Sequence, residues 1–337
     1  MILAGDVGGT KVTLALIEPA GAKLQVRRHQ RFETERYAAL APIVREFLAA
    51  SRDTPDLACF GIAAPLTGGT IEMPNRDWTF DRERLAEEIG VEQVSFVNDL
   101  EATALGIDLV EEKCLVELHP GQPRGVTAAL IAAGTGLGMA ILTEVDGRAC
   151  ALPSEGGHQD FAPRTEIEDE LLDFLRRRFP GHVSVERAVS GPGVQAIYEF
   201  LLESGREKEP EWLAARLAAS EDRSREISEV ALSGGASICE AALEIFAGCY
   251  GAAAGNLALA ALALRGVYLG GGITPEIQPI LRSDAFREAF RGKGRLRDLL
   301  ADVPVFVIAE PLTPLLGAAR CATLVAEAGR REGARRQ

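Results

Sequence analysis

The sequence predicts an α/β protein in which mixed sheet and covering helices are built twice, each time around a glycine-threonine hairpin. Three observations predict it. Strand-like and helix-like segments alternate through the first hundred residues, the pattern of a mixed sheet covered by helices. One turn, Asp6-Val7-Gly8-Gly9-Thr10, stands between the apolar runs 2–4 and 12–17. A second, Gly134-Thr135-Gly136-Leu137-Gly138, stands between the runs 128–133 and 139–142. Glycine lets a ligand approach the main chain, successive N–H groups form an anion-binding hollow, and a threonine hydroxyl adds a donor. One such hairpin is an ordinary tight turn. Two of them point to a duplicated phosphate-holding fold that clamps a nucleotide between its halves.

The elements follow in order. Strands are expected at 2–5, 12–17 and 24–28. A helix at 37–50 places Leu40, Ile43, Val44, Phe47 and Leu48 at a 3.6-residue period. Strands at 57–63 and 94–97 flank a helix at 80–89, and a short helix at 100–105 follows Asn98-Asp99. A second strand set begins near Leu115 and runs through 126–133, 138–144 and 148–152; helices then dominate from 164 to 264. The charges of 203–229 mix both signs and read as a solvated helical face. The alanine-rich stretch 251–264 contains Asn256, is too short to cross a bilayer and reads as a buried helix. Strands at 267–269 and 303–308 precede a last helix at 313–328. The tail 329–337, with four arginines, is expected to be disordered.

At 337 residues the chain has room for about two domains. The formal charge of −13 argues against nucleic-acid or anionic-membrane partners, which draw on basic surface. Phosphate binding must then come from local N–H groups and a cation. The six cysteines (59, 114, 150, 239, 249, 321) include no C-x-x-C pair and read as buried free thiols of a reducing cytosol. The apolar start is three residues long before Gly5 and Asp6, with no basic segment ahead of it, so a cytoplasmic location is expected.

Asn98-Asp99 is a favoured helix cap, or a carboxylate at the C-terminal end of a strand, where open α/β sheets bind ligands. Glu155-Gly156-Gly157-His158 puts an acid and an imidazole on a loop whose glycines permit close approach to something else. Glu186 stands where a helix first turn favours an acid and is uninformative alone. Val267-Tyr268-Leu269 ends in Gly270-Gly271-Gly272, either a flexible loop or bare backbone for a purine and its ribose. In Asn75-Arg76-Asp77-Trp78 the tryptophan more often packs than binds.

In order, these segments resemble the five signatures of the sugar kinase, actin and Hsp70-type ATPase superfamily: 6–11 and 132–138 the phosphate motifs, 96–106 and 312–321 the connecting helices, 267–272 the adenosine motif. Within it the chain is similar to the bacterial glucokinases over nearly its whole length, most specifically at Gly5-Asp6-Val7-Gly8-Gly9-Thr10, Phe96-Val97-Asn98-Asp99, Ser154-Glu155-Gly156-Gly157-His158 and Ser190-Gly191-Pro192-Gly193. Lys11 stands where those enzymes often have Asn and the related ROK kinases often have Lys; the ROK zinc cysteines are absent after His158.

The resemblance implies two ribonuclease-H-like α/β domains around a nucleotide- and sugar-binding cleft: residues 1–109 plus 304–329, and 110–303. It implies transfer of phosphate from ATP to the 6-hydroxyl of glucose with Asp99 as general base, or to another hexose or an N-acetylhexosamine as in the ROK kinases. Asn75, Asn98, Asp99, Glu155, His158 and Glu186 would hold the sugar. Gly5, Asp6, Val7, Gly8, Gly9, Thr10, Gly134, Thr135, Gly136, Gly270, Gly271 and Gly272 would hold ATP, with Asp6 on Mg²⁺ through water. Domain closure would exclude water, and a homodimer is expected. The chemistry fits these residue types: a neutral sugar offers only hydroxyls, which carboxylates, an amide and an imidazole can grip.

Overall fold

The computed structural model describes all residues except 22, 52, 65, 67–70, 74–76, 336 and 337, and only the backbone of 332–335. It divides into two compact units, one of Met1–Cys114, Val145–Pro153 and Glu310–Gln337, the other of Leu115–Glu144 and Ser154–Ala309.

The first unit opens with strands β1 (Ile2–Val7), β2 (Lys11–Ala20) and β3 (Lys23–Glu33), helix α1 (Leu40–Ala49) and strand β4 (Leu57–Ile62). A small hairpin, β5 (Ile71–Glu72) with β6 (Thr79–Phe80), leads to α2 (Arg82–Ile89), β7 (Gln93–Asn98) and α3 (Asp99–Gly106). The sheet order is β3-β2-β1-β4-β7. The two hairpin pairs are antiparallel, and β1, β4 and β7 run parallel. The apolar run Ile2 to Ala4 that opens β1 has both its faces covered. Leu3 and Val7 join the cluster beneath α1, while Ile2 and Ala4 pack on the opposite face with Val97, Ala102 and Leu315. Helix α1 is shorter than the expected 37–50, since Tyr37 caps a preceding 3-10 turn. Helix α2 starts after Asp81, whose side chain accepts the Arg84 N–H at 2.8 Å, so Phe80 lies in a strand instead. Trp78 is buried and packs edge-on against Phe80, as expected of a packing tryptophan.

The second unit contains β8 (Leu115–His119), β9 (Ala128–Ala133) and β10 (Leu137–Val145); β11 (Arg148–Ser154) extends its sheet order beyond β10. Helices α4 (Glu166–Arg178), α5 (Gly191–Glu203), α6 (Glu211–Ala219), α7 (Arg223–Leu232) and α8 (Ser237–Ala261) follow. Then come β12 (Gly266–Gly270), α9 (Gln278–Leu281), α10 (Asp284–Arg291), α11 (Arg297–Ala301) and β13 (Val305–Ile308). The order is β11-β10-β9-β12-β13-β8. β9 and β10 form an antiparallel hairpin, and β12 and β13 run parallel to β9. Starting one strand in from each hairpin edge, both sheets thus repeat the same arrangement of antiparallel and parallel neighbours. The chain returns to the first unit as α12 (Thr313–Arg335).

Larger differences from the sequence expectation lie in the second half of the chain. β13 was expected in the first unit, yet it pairs with β12 and β8 in the second, because Val305 and Val307 are buried in that unit's core. Helix α8 is 25 residues long, starting well before 251 and ending at Ala261. By length and composition it could cross a membrane, but 78% of its most apolar window is buried inside the protein. Helix α12 runs on to Arg335, so the expected disordered tail is helical through that residue. Helices α9 to α11 were not expected at all.

Candidate functional site

In the first unit the site is built on the C-terminal ends of parallel strands. Val7 of β1, Ile62 of β4 and Asn98 of β7 lie side by side in register. One residue earlier, Arg31, Thr13, Asp6, Gly61 and Val97 form a row across all five strands. Register partners point to the same face of a sheet, so Asp6 shares its face with Gly61. The Cα of Asp99 stands 3.6 Å from where a Cβ on Gly61 would lie. With strands about 4.8 Å apart, Asp99 is one strand over from Asp6, and both are half-buried.

The caps explain why the chain turns there. Asn98 is the N-cap of α3, its oxygen accepting the N–H groups of Leu100 (3.0 Å) and Glu101 (3.4 Å), while its amide donates to the Ala64 carbonyl at 3.5 Å. The capping reading of Asn98 therefore holds, and it fixes Asp99 as the first helical residue. Burial lifts the Asp6 carboxyl to about 6, with the Arg31 guanidinium opposing that rise.

The first glycine turn is closed by the Gly8 N–H donating to the Lys11 carbonyl at 2.9 Å, so that N–H is not left for a phosphate. Thr34 pins the turn from 24 residues away: its hydroxyl donates to the Gly9 carbonyl (2.8 Å) and its N–H to the Thr10 carbonyl (3.0 Å). Gly5 is set by packing, since a Cβ there would overlap the Phe60 ring. Val7 points into the core and can offer only backbone.

The second unit repeats the device. The Gly134 N–H closes the turn onto the Gly136 carbonyl at 2.9 Å, and the Gly134 carbonyl accepts the Gly191 N–H at 2.8 Å. That contact seats the start of α5, capped by Ser190, against the turn. Thr135 is exposed at its tip. Strand β12 runs parallel beside β9 and ends level with it, Gly270 opposite Ala132. The three glycines there have different reasons. Gly271 has φ +86°, and a Cβ on it would overlap the Ala133 carbonyl, so the fold itself requires glycine. Gly272 has open space where a side chain would go. The Thr274 hydroxyl donates to the Gly270 carbonyl (2.5 Å), and Tyr250 donates to the Ile131 carbonyl (3.1 Å), bracing the strand ends from below.

The acid-imidazole loop lies against the same hairpin. A Cβ on Gly157 would overlap the Leu137 carbonyl, which is the close approach the two glycines were expected to serve. Glu155 and His158 are exposed on either side of this buried pair. The segment after them bridges to 183–185 through the Val185 N–H to the Gln159 carbonyl (2.8 Å) and the Phe161 N–H to the Val183 carbonyl (2.8 Å). This brings Glu186 to the second turn, where its Oε2 accepts the Leu137 N–H at 2.9 Å. Glu186 thus grips the second turn with one oxygen. Asn75 lies outside the described residues. Thr34, Ser224 (whose hydroxyl donates to the Gly191 carbonyl at 2.6 Å), Tyr250 and Thr274 are supports that the sequence reading missed; nothing in their local sequence marks them.

Among the described residues no three His, Cys, Asp or Glu side chains gather to ligate a metal. A lone carboxylate such as Asp6 suits Mg²⁺, which keeps several waters and takes its other ligands from substrate phosphates.

The glucokinase family model matches residues 3–325. A glucokinase of Nostoc punctiforme is 39% identical over 336 residues, covering 96% of this chain and 98% of its own. The crystal structure of a glucokinase from an Antarctic psychrotroph superposes with a TM-score of 0.83 at 31% identity, over 96% of this chain and 98% of that one. A ROK family glucokinase from Streptomyces griseus, in complex with glucose and AMPPNP, shares the fold at a TM-score of 0.65 and 19% identity, over 96% and 99% of the two chains. The chain belongs to the glucokinase family.

Proposed function

We propose that this protein transfers the γ-phosphoryl group of ATP to the 6-hydroxyl of D-glucose, with Asp99 as general base. The observation that carries the reading is the position of Asp99 over Gly61, one strand from Asp6 and on its face of the sheet. Phosphoryl transfer needs positioning and charge neutralisation more than covalent chemistry. The two turns, with Gly270 to Gly272, hold the nucleotide. Asn98, Glu155, His158 and Glu186 hold the sugar hydroxyls, and Asn75 joins them by resemblance alone. Asp99 accepts the proton of the 6-hydroxyl as that oxygen attacks the phosphorus. Asp6 would hold Mg²⁺ through water; when bound, the ion neutralises charge on the phosphate oxygens.

The shared strand order supports reading both sheets as ribonuclease-H-like. The reading extends to a cytoplasmic homodimer that binds neither nucleic acid nor membrane; the charge of −13 favours the absence of nucleic acid. Initial rates with ATP and Mg²⁺ across a hexose panel test the activity. Strict dependence on sugar with glucose preferred is expected. Phosphate release without sugar, or faster turnover of an N-acetylhexosamine, would overturn it.

A further inference from the structure

Cys59 and Cys321 are not used by the mechanism, yet they pack in one apolar cluster and each thiol shifts the proton affinity of the other. Cys59 is on β4 and fully buried, whereas Cys321 is on α12 and half-buried. Both belong to the apolar cluster that α12 makes with the sheet of the first unit. We infer that Cys59 and Cys321 form a peroxide-reactive modification site, in which the outer thiol is oxidised first and the inner one resolves it to a disulfide.

The environment divides these roles. Cys59 is enclosed while Cys321 reaches solvent; their mutual interaction pushes the Cys59 thiol up and the Cys321 thiol down, and Arg82 adds positive charge near both. The thiolate is the nucleophile, and Cys321 is the member that solvent reaches. Its sulfur attacks one oxygen of hydrogen peroxide; an S–O bond forms, the O–O bond breaks, and hydroxide leaves. The sulfur has given two electrons and is now a sulfenic acid. The Cys59 sulfur then attacks the Cys321 sulfur, the S–S bond forms, and the sulfenic oxygen leaves as water with the Cys59 proton. In balance, two thiols and one peroxide give one disulfide and two waters.

The consequence reaches Asp99 through the helix crossing. Helices α12 and α3 meet without slack: a Cβ on Gly317 would overlap the Ala102 carbonyl, and one on Gly106 would overlap the Thr313 carbonyl. A disulfide fixes the two sulfurs at about 2 Å and so ties α12 to β4, drawing α3 with it. Asp99 is the first residue of α3. This part alone rests on the kinase reading; the disulfide does not.

The test is titration of the full chain with hydrogen peroxide, followed by mass spectrometry of thiol-blocked digests and by kinase rates. A linked Cys59–Cys321 peptide is expected, formed before Cys114 or Cys150 is oxidised. Turnover is expected to fall roughly tenfold, as a misplacement of about 1 Å can cause, and to return with dithiothreitol. Cys321→Ser should resist this loss. Cys59→Ala should accumulate the sulfenic acid on Cys321, readable with a dimedone probe even where folding is weakened in Cys59→Ser. Oxidation of Cys114 or Cys150 with Cys59 and Cys321 still reduced would overturn the site. A linked peptide with unchanged turnover would overturn the coupling to Asp99, and linkage in a chain with no kinase activity would place the failure in the functional reading.

Discussion

Asp99 rests on Gly61: its Cα is 3.6 Å from the position a Cβ on Gly61 would take, and the Ala102 Cβ is 3.3 Å from that same point. Gly61 therefore sets the height of α3 above the sheet. Gly61→Ala should be accommodated with a shift of a few tenths of an ångström. Gly61→Val should lift the start of α3 and lower kcat by about 10-fold to 100-fold. Steady-state kinetics with a thermal melt on each variant checks this. Equal kcat for both variants would show that the contact does not position the acid.

Asp99→Asn separates chemistry from capping. The cap of α3 is Asn98, whose oxygen receives the Leu100 and Glu101 N–H groups, so the substitution leaves the helix start intact. Stability should change by less than about 1 kcal/mol, in the range of substitutions that spare a cap. Loss of a general base typically costs about 10²- to 10⁴-fold in rate. A near-normal kcat would remove Asp99 from the role of base.

Glu155 and Glu186 should part company on substitution. Glu155 is exposed on its loop, so Glu155→Gln should raise the KM for glucose with little effect on ATP. Glu186 also accepts the Leu137 N–H at the second turn. Glu186→Ala should therefore raise the KM for both substrates, as the turn loses an anchor. A glucose-only effect in Glu186→Ala would show that the turn holds its shape without that bond.

How much of this was legible in the sequence follows from the range of the forces involved. Both turns and the buried strands β1, β4, β9 and β12 were readable because apolar runs and glycine chemistry are local. The neighbourhood of Asp6 and Asp99 was not, since it depends on which strands pair and in which register across β4. Thr34 was invisible for the same reason: it pins a turn 24 residues earlier. β13 was misassigned because an apolar run of four residues carries no sign of its partner. Helix α10 had a readable signal, with Phe286, Ala289 and Phe290 at helical spacing, but it is short and ends at Gly292 and Gly294. The expected break at Gly329 did not occur; one glycine costs a helix only about 1 kcal/mol, and α12 is anchored through its first half, Leu315 to Ala322, in the cluster it shares with α3 and the sheet.

The two glycines after β12 give a fourth comparison. Gly271→Ala should destabilise the second unit by a few kcal/mol, since it combines a positive φ with backbone overlap. Gly272→Ala meets nothing and should leave the melting temperature unchanged, while weakening ATP binding if the nucleotide lies on that backbone. Calorimetry and ATP titration on the two variants distinguish the roles. Unchanged ATP affinity in Gly272→Ala would remove this strand end from the nucleotide site.

His119 should make the second unit acid-sensitive. It is 5% exposed, stacks on Phe286 and has no partner for Nε2 among the described residues; burial, with Arg291, Arg287 and Arg282 nearby, lowers its imidazole to about 4 against the favourable bond to the Leu281 backbone. In the unfolded chain the group titrates near 6.5. Above that pH the neutral ring incurs no penalty. As pH falls from 6.5 toward 4 the unfolded state binds the proton and the folded state does not, so stability declines, by about 3 kcal/mol for a group this enclosed. Below 4 the native ring protonates as well and the slope from this group ends. His119→Phe keeps the stacking and removes the titration. Urea midpoints at pH 7 and pH 5 should therefore converge in the variant relative to the parent chain, and an undiminished gap between them would assign the acid sensitivity to other groups.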